Sequence, residues 1–169
     1  MEPSLNIVDI VLRLGAAVLA GALLGLDREL RNKPAGFRTV ALVALGTATL
    51  TVAAVDHGGA AHPDAVSRVI QGTITGIGFM GAGTILHRED SKRVRGLTTA
   101  AAIWLAATLG IASGLAHWPL VVIGSSFGLV LLVLTPLEDW ITRRFGEKAD
   151  RRRAVLGADT SGATSDEEE

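Results

Sequence analysis

The chain has 169 residues, of which 49% are hydrophobic and 20% are charged. It contains no cysteine, which excludes a disulfide scaffold, thiol catalysis and a cysteine-ligated metal. Its charges are clustered: 15 of the 33 lie in the last 32 positions, six lie between 27 and 38, and six lie between 88 and 95. The apolar stretches between these clusters can cross a bilayer, which takes about 20 residues, so a soluble globular domain is excluded.

Five apolar segments are predicted to be transmembrane helices, at about 7–26, 39–55, 69–86, 97–116 and 118–137. Backbone groups in hydrocarbon must form hydrogen bonds within their own segment, so the expected fold class is all-α. A cleaved signal peptide is an alternative for the first segment, but no basic N-terminal region precedes it. We therefore expect a polytopic membrane protein with its transmembrane domain over residues 1–142.

The orientation of these helices is predicted from the basic residues. Fourteen of the 16 Lys and Arg residues follow the first, third and fifth helices. The positive-inside rule then places the N-terminus outside and the C-terminus in the cytoplasm. Residues 143–169 are polar and without periodicity, which predicts a disordered cytoplasmic tail. The basic first half of this tail could lie on anionic headgroups, or it could be only a solvated flank of the last helix.

An internal repeat is indicated at an offset of 60, where residues 18–45 align with 78–105 with nine identities in 28. The most specific identities are an Arg-Glu pair and a Gly-x-x-Thr pair, found at Arg28, Glu29, Gly36 and Thr39 and again at Arg88, Glu89, Gly96 and Thr99. Two-helix units at about 7–55 and 69–116 would insert in parallel, related by an axis along the membrane normal, with the fifth helix outside the repeat. The two Arg-Glu pairs should then face each other on the cytoplasmic side. The alternative is coincidence in a chain rich in Gly and Ala.

Glycines are dense in the predicted spans. Gly-x-x-x-Gly pairs occur at Gly21/Gly25, Gly72/Gly76, Gly110/Gly114 and Gly124/Gly128, and the third helix adds Gly78, Gly81 and Gly83. Small residues let helices approach closely in lipid, which favours tight packing and a homo-oligomer. The alternative is that the run from Gly76 to Gly83 unwinds and lines a cavity with its carbonyl groups.

Asp9 and Arg13 are the charged residues inside a predicted span. Their i, i+4 spacing puts both side chains on one helical face, where they can pair. An ion pair within the membrane is costly and by default suggests a function. Both residues lie in the outer half of the helix, so extension of their side chains to the outer interface is an equal alternative.

The predicted cytoplasmic face carries the most concentrated polar chemistry. The candidate residues lie at helix ends and in the connecting loops: Asp27, Arg28, Glu29, Arg38, Thr39, Arg88, Glu89, Arg95, Thr98 and Thr99. They could form a ligand or partner site, or they could be interfacial anchors and helix caps. The sequence has no metal-ligand spacing and no phosphate-binding loop, so we expect no enzyme activity, no cofactor and no nucleic-acid partner.

Four motifs carry a family resemblance, and they occur in order along the chain. They are Gly21-Ala-Leu-Leu-Gly25-Leu-Asp27-Arg28-Glu29, Ala35-Gly36-Phe37-Arg38-Thr39, Gly76-Ile-Gly-Phe-Met-Gly81-Ala-Gly83-Thr84 and Arg95-Gly96-Leu97-Thr98-Thr99-Ala100-Ala101-Ala102-Ile103-Trp104. With these motifs the chain resembles the MgtC/SapB family of bacterial inner-membrane proteins. The departures are mild: Asp27, Phe37 and Met80 stand where the family usually has Glu, Leu and Leu.

The resemblance implies a role in adaptation to low magnesium, in acid tolerance and in the survival of pathogens inside macrophages. Family members are often described as magnesium transporters or as accessories of P-type ATPases, and regulation of other membrane machinery, including the ATP synthase, is another account. Longer members carry a cytoplasmic C-terminal domain. This chain ends at Glu169, so we expect a short form that lacks this domain.

Two hypotheses follow for this multi-pass inner-membrane protein. The first is a non-enzymatic regulator that docks on another membrane protein. The second is a transporter or channel for Mg²⁺ or another small ion, with Mg²⁺ as its ligand or transported ion. Hydrated Mg²⁺ would need carboxylates at the mouth, and the candidates are Asp27, Glu29, Glu89 and Asp90. Adjacent arginines partly neutralise these carboxylates, which favours the regulator.

Overall fold

A computed structural model of the chain describes residues 5–58, 64–87 and 94–134. The described residues form five helices: α1 Ile7–Leu30, α2 Phe37–Gly58, α3 Ala65–Thr84, α4 Leu97–Gly114 and α5 Trp118–Val133. Two short strands lie between α3 and α4, β1 Leu86–His87 and β2 Val94–Arg95, and they pair antiparallel with Leu86 opposite Arg95. The five predicted helices are present, and the short hairpin was not predicted.

The chain divides into two compact units, Met1–Leu132 and Val133–Glu169. The helical bundle belongs to the first unit. The tail predicted for residues 143–169, and the predicted domain boundary before it, lie outside the described residues.

Helix α1 continues to Leu30, four residues beyond the predicted end at 26. An ion pair one turn apart, with Arg31 Nε 2.8 Å from Asp27 Oδ1, stabilises this extra turn. The helix then ends where Asn32 adopts a left-handed conformation with φ 50° and Lys33 N donates to Arg28 O at 3.0 Å. Asp27, Arg28 and Glu29 therefore lie on a helix rather than in the loop where the sequence pattern placed them.

Three helical segments within the described residues are long and apolar enough to cross a membrane: Ile7–Leu30, Phe37–Asp56 and Leu97–Gly114. Helix α5 is apolar but shorter, at 16 residues. Helix α3 has 20 residues and is not among the three, because Arg68, Gln71 and several glycines lower its hydropathy.

Helices α2 and α4 lie at the centre of the bundle. Each of them contacts the other, and each contacts both α1 and α3. The core between them is built mainly from small side chains, with Ala44, Ala48 and Ala106 fully buried together with Leu24 and Ile103. Lipid removes the hydrophobic drive between helices, so close van der Waals contact between small residues supplies the packing energy.

Three of the four Gly-x-x-x-Gly pairs are used for this packing. A Cβ at Gly25 would lie 2.7 Å from the Cα of Phe37, and one at Gly114 would lie 2.9 Å from Ala48 O. In the pair Gly124/Gly128, Gly124 packs on the end of the Leu109 side chain of α4 rather than on backbone. In the fourth pair, Gly72 and Gly76 on α3, no described residue lies within 4 Å of an added Cβ.

The glycine run of α3 does not unwind. Gly76, Gly78, Gly81 and Gly83 all lie in the continuous helix Ala65–Thr84. The alternative of an unwound segment that lines a cavity is therefore not seen in this structure. Only Gly81 is buried, against Ala100 of α4.

Candidate functional site

The end of the bundle formed by residues 26–39 and 96–99 brings together most of the predicted site residues, and we call it the Arg28 end. Arg28 itself is 3% exposed. Its Nη2 donates a hydrogen bond to Thr99 Oγ1, so the side chain crosses from the last turns of α1 to the first turn of α4. Its Nε has no hydrogen-bond partner in the described part of the chain.

Burial of the Arg28 guanidinium is energetically expensive. Both ion pairs found among the described residues, Asp9–Arg13 and Asp27–Arg31, leave Arg28 out. A charge taken out of water is costly, and attraction to the neighbouring Asp27 carboxylate compensates part of this cost for Arg28. The sequence pattern named Arg28 as a candidate for a ligand or partner site, or else as an interfacial anchor, but it could not reveal that α4 covers this side chain.

The two carboxylates beside Arg28 are already engaged. Asp27 pairs with Arg31, while Glu29 Oε2 accepts a hydrogen bond from Phe37 N at 3.1 Å. Glu29 of α1 therefore caps the N-terminus of α2, where negative charge is favoured by the helix dipole. A Cβ at Gly36 would meet the Glu29 carboxylate, which is the flexible end of a side chain and can move aside.

The predicted role of threonines as helix caps does not hold for α4. Its N-cap is Gly96, which adopts a left-handed conformation with φ 96° and makes no side-chain capping bond. Thr98 and Thr99 follow inside the helix, where Thr98 is exposed and Thr99 is buried as the acceptor for Arg28. A Cβ at Gly96 would collide with Thr84 O, so glycine is required by both its conformation and its space.

A cavity of about 610 Å³ opens beside the capping contact, lined by Leu26, Glu29, Gly36, Phe37, Arg38 and Thr39. Three predicted site residues, Glu29, Arg38 and Thr39, thus share one surface. Arg38 and Thr39 are exposed in the first turn of α2. The cavity offers one cation, one carboxylate and one hydroxyl to a ligand.

The remaining candidates of this face belong to the second half of the chain. Arg88 and Glu89 lie outside the described residues, and Arg95 is described only by its backbone in β2. The predicted juxtaposition of the two Arg-Glu pairs therefore stays a prediction.

The opposite end of the bundle contains the Asp9–Arg13 pair, with Arg13 Nη2 2.6 Å from Asp9 Oδ2. Arg13 also reaches α4, where its Nη1 donates to Gly114 O at 2.8 Å, and Ser113 Oγ donates back to Arg13 O at 3.0 Å. A cation at a helix C-terminus is favoured by the free carbonyls and the helix dipole. The i, i+4 spacing predicted the pair, but no sequence pattern indicated Ser113 and Gly114 as partners. Arg13, held by Asp9, thus connects α1 to α4 through these two hydrogen bonds.

The described residues contain no group of three or more His, Asp or Glu side chains that could hold a metal ion. The chemistry that the Arg28 end provides is therefore charge and hydrogen bonding by Arg28, Glu29, Arg38 and Thr39. A helical bundle with three segments fit to cross a membrane, and with charged residues concentrated at its two ends, defines a helical membrane protein.

Comparison with known proteins gives the family. The chain belongs to the MgtC family, which residues 14–140 match. It is 43% identical over 129 residues to protein SrpB of Synechococcus elongatus, covering 71% of each chain. These matches confirm the resemblance predicted from the four motifs.

Two further relatives are longer than the matched region. Identity to protein SapB of Bacillus subtilis is 37% over 147 residues, covering 82% of this chain and 60% of the relative. Identity to protein MgtC of Salmonella typhimurium is 39% over 118 residues, covering 70% of this chain and 48% of the relative. The chain therefore spans about half to three-fifths of these two relatives. No solved structure matches the chain.

Proposed function

We propose that the chain is a multi-pass protein of the bacterial inner membrane, with its N-terminus outside and its C-terminus in the cytoplasm. It acts without catalysing a reaction, and it serves magnesium homeostasis and adaptation to stress or virulence by regulating other membrane machinery. Membership of the MgtC family supports the link to magnesium. The basic residues at the Arg28 end support the orientation.

One observation carries the regulator hypothesis: the carboxylates at the Arg28 end are engaged in holding the helices. Asp27 pairs with Arg31 and Glu29 caps α2. Arg28 adds a buried positive charge between them. A path for Mg²⁺ would need uncompensated oxygen ligands, because this ion is strongly hydrated and demands near-octahedral coordination. The described part of this end is better suited to hold its own helices and to present charge to a partner.

The second candidate is a transporter or channel for Mg²⁺ or another small ion, and the arrangement of the helices favours it. Helices α2 and α4 begin at Phe37 and Leu97, which are 60 residues apart like the sequence repeat. Gly21 packs on Val40 and, 60 residues later, Gly81 packs on Ala100. These matched contacts support a parallel two-helix repeat, which is an arrangement found in transporters.

We also propose that the protein is a homo-oligomer that forms through the outer face of α3. Gly72 and Gly76 leave room for the backbone of another helix. Gln71 and Thr75 lie exposed beside them. An amide exposed to lipid gains from a hydrogen bond across a helix pair, and Gln can both donate and accept, so two copies can satisfy each other.

A flux assay with the whole chain in liposomes separates the two functions. We expect Mg²⁺ entry, measured with a trapped magnesium-sensitive dye, to equal that of protein-free liposomes. Saturable Mg²⁺ flux that disappears in Asp27→Asn would overturn the regulator hypothesis. Lys33→Gln, reconstituted into liposomes in the same way, is a matched control, because Lys33 is exposed and lies near the same helix end.

Growth in low magnesium tests the regulator directly. In a strain that lacks the gene, we expect Lys33→Glu to accumulate in the membrane normally but to restore growth less well than the unmodified chain. The reason is that reversing an exposed charge at a docking surface slows association with its partner. Arg68→Glu is the control, because Arg68 is an exposed cation at the opposite end of the bundle. Equal loss in both variants would contradict docking at the Arg28 end.

A further inference from the structure

The cavity at the Arg28 end contains two opposite charges that do not pair with each other. Glu29 and Arg38 both line it. Neither takes part in the ion pairs found among the described residues. Glu29 uses one oxygen to accept from Phe37 N, and an ionised carboxylate has capacity for further donors. A ligand that carries both an anion and a cation would match this pair of charges.

The cation in the cavity has the surroundings of a phosphate site. Arg38 and Thr39 occupy the first turn of α2, a helix of 22 residues. The free N–H groups of a helix N-terminus favour an anion, and a guanidinium can bind a phosphate with two parallel hydrogen bonds. The Thr39 hydroxyl is exposed on the same lining and can donate a further hydrogen bond.

The cavity also has an apolar wall, formed where one helix that can span a membrane ends and the next begins. Leu26 and Phe37 line it, and they are 47% and 43% exposed. The cavity lies where α1 ends and α2 begins, and both helices are long and apolar enough to span the membrane. Lipid headgroups occupy this depth, and the upper parts of their acyl chains would contact Leu26 and Phe37.

We propose that this cavity binds the headgroup of a zwitterionic aminophospholipid, with its phosphate on Arg38 and Thr39 and its ammonium on Glu29. The primary ammonium of phosphatidylethanolamine has three N–H donors for the carboxylate. The quaternary ammonium of phosphatidylcholine has none, and phosphatidylglycerol has no cation. The site therefore discriminates between headgroups by hydrogen bonding and charge together. This proposal does not depend on whether the protein regulates or transports.

Binding of defined lipids to the purified chain tests the proposal. Phosphatidylethanolamine, phosphatidylcholine and phosphatidylglycerol with identical acyl chains are added in detergent, and the bound lipid is counted by native mass spectrometry. We expect phosphatidylethanolamine to bind about tenfold more tightly than either of the others, which corresponds to about one charge-assisted hydrogen bond. Equal binding of all three lipids would overturn the proposal, and so would a preference for phosphatidylglycerol.

Substitutions test the two halves of the site separately. Glu29→Gln keeps an oxygen that can accept from Phe37 N, so α2 keeps its cap; we expect this variant to lose the preference for phosphatidylethanolamine over phosphatidylcholine. Arg38→Gln should weaken binding of all three lipids, and Thr39→Val gives a second test of the phosphate half if Arg38→Gln does not fold. Lys33→Gln is the matched control, because Lys33 is exposed near this end but does not line the cavity.

The control and the free headgroup complete the test. A loss of binding in Lys33→Gln as large as in Arg38→Gln would mean that general positive charge attracts the lipid, which contradicts a built site. Glycerophosphoethanolamine, which lacks acyl chains, should compete only weakly. If it binds as tightly as the whole lipid, the ligand is a soluble phosphate compound and the lipid proposal is wrong.

Discussion

The two helix pairs α1–α2 and α3–α4 use similar glycine-rich sequences in different ways. In the first pair, Gly21 and Gly25 bring α1 against the backbone of α2, so that added Cβ atoms would lie within 3 Å of α2. In the second pair, the corresponding contact is an ordinary one of 3.6 Å between an added Cβ at Gly81 and Ala100, and Gly72 and Gly76 have no neighbour within 4 Å among the described residues. Close backbone contacts thus hold the two helices of the first pair together, whereas the outer face of α3 has room for another helix beside Gly72 and Gly76.

The two pairs also differ at the ends of their first helices, α1 and α3. Helix α1 runs on to Leu30 and places Arg28 against Thr99 of α4. Helix α3 stops at Thr84, and the chain continues into the hairpin of β1 and β2. The hydrogen bond from Arg28 to Thr99 therefore joins the two pairs, and its donor lies in the first pair.

The largest expected effect is that of filling the contact between α1 and α2. Gly25→Leu would force α1 away from the backbone of Phe37, and we expect a loss of about 3 kcal/mol in unfolding free energy, the upper end for overpacking. Gly15→Leu on the same helix is the control, because nothing lies within 4 Å of a Cβ there. Unfolding in mixed detergent micelles measures both. An equal loss at Gly15 would show that glycine substitution itself, and not the close contact, is responsible.

Removal of the acceptor for the buried arginine should cost somewhat less. Thr99→Val keeps the shape of the side chain but leaves the Arg28 guanidinium without the hydroxyl, so we expect a loss of about 2 kcal/mol. Thr39→Val, at the corresponding position of the first pair, removes an exposed hydroxyl and should change stability by less than about 0.5 kcal/mol. If both variants lose the same stability, the hydrogen bond between Arg28 and Thr99 contributes nothing.

The loop glycines before α2 and α4 should also differ. Gly96→Ala combines a left-handed conformation with a collision against Thr84 O, and we expect a loss of at least about 1–2 kcal/mol. Gly36→Ala meets only the flexible end of the Glu29 side chain, which can move aside. Thermal unfolding of the two variants side by side measures the difference. A larger loss for Gly36→Ala would contradict the conformations described for these two positions.

The smallest predicted effect is a gain of stability. Ala116 follows α4 in a left-handed conformation with φ 55°, which is unfavourable for a residue with a Cβ. Ala116→Gly should therefore raise the unfolding free energy by up to about 1 kcal/mol. Ala101→Gly, at an exposed position inside α4, should lower it by about the same amount. The two substitutions, measured in the same assay, must have opposite signs.

The sequence predicted the parts of this structure that depend on local pattern. The apolar runs predicted the five helices. The spacing of Asp9 and Arg13 predicted their ion pair. The burial of Arg28 could not be predicted, because it depends on how closely α4 approaches the end of α1.

The same limit applies to the site itself. Glu29, Arg38 and Thr39 were recognised as candidates from their place at helix ends. Their shared cavity, and the bond from Phe37 N to Glu29, arise from tertiary contact between residues eight positions apart across a turn. No local propensity shows that a carboxylate at the end of one helix caps the neighbouring helix.

One pair of variants tests most directly the proposal that close contacts in the first helix pair stabilise the fold while the outer face of α3 binds a second copy. Since the chain has no cysteine, Thr75→Cys on the outer face of α3 reports self-association by disulfide cross-linking in membranes. Gly25→Leu and Gly76→Leu are each combined with this cysteine, and both unfolding and cross-linking are measured. We expect Gly25→Leu to lower stability with little effect on cross-linking of the folded protein. Gly76→Leu should lower cross-linking with little effect on stability. Loss of stability without loss of cross-linking in Gly76→Leu would contradict the account.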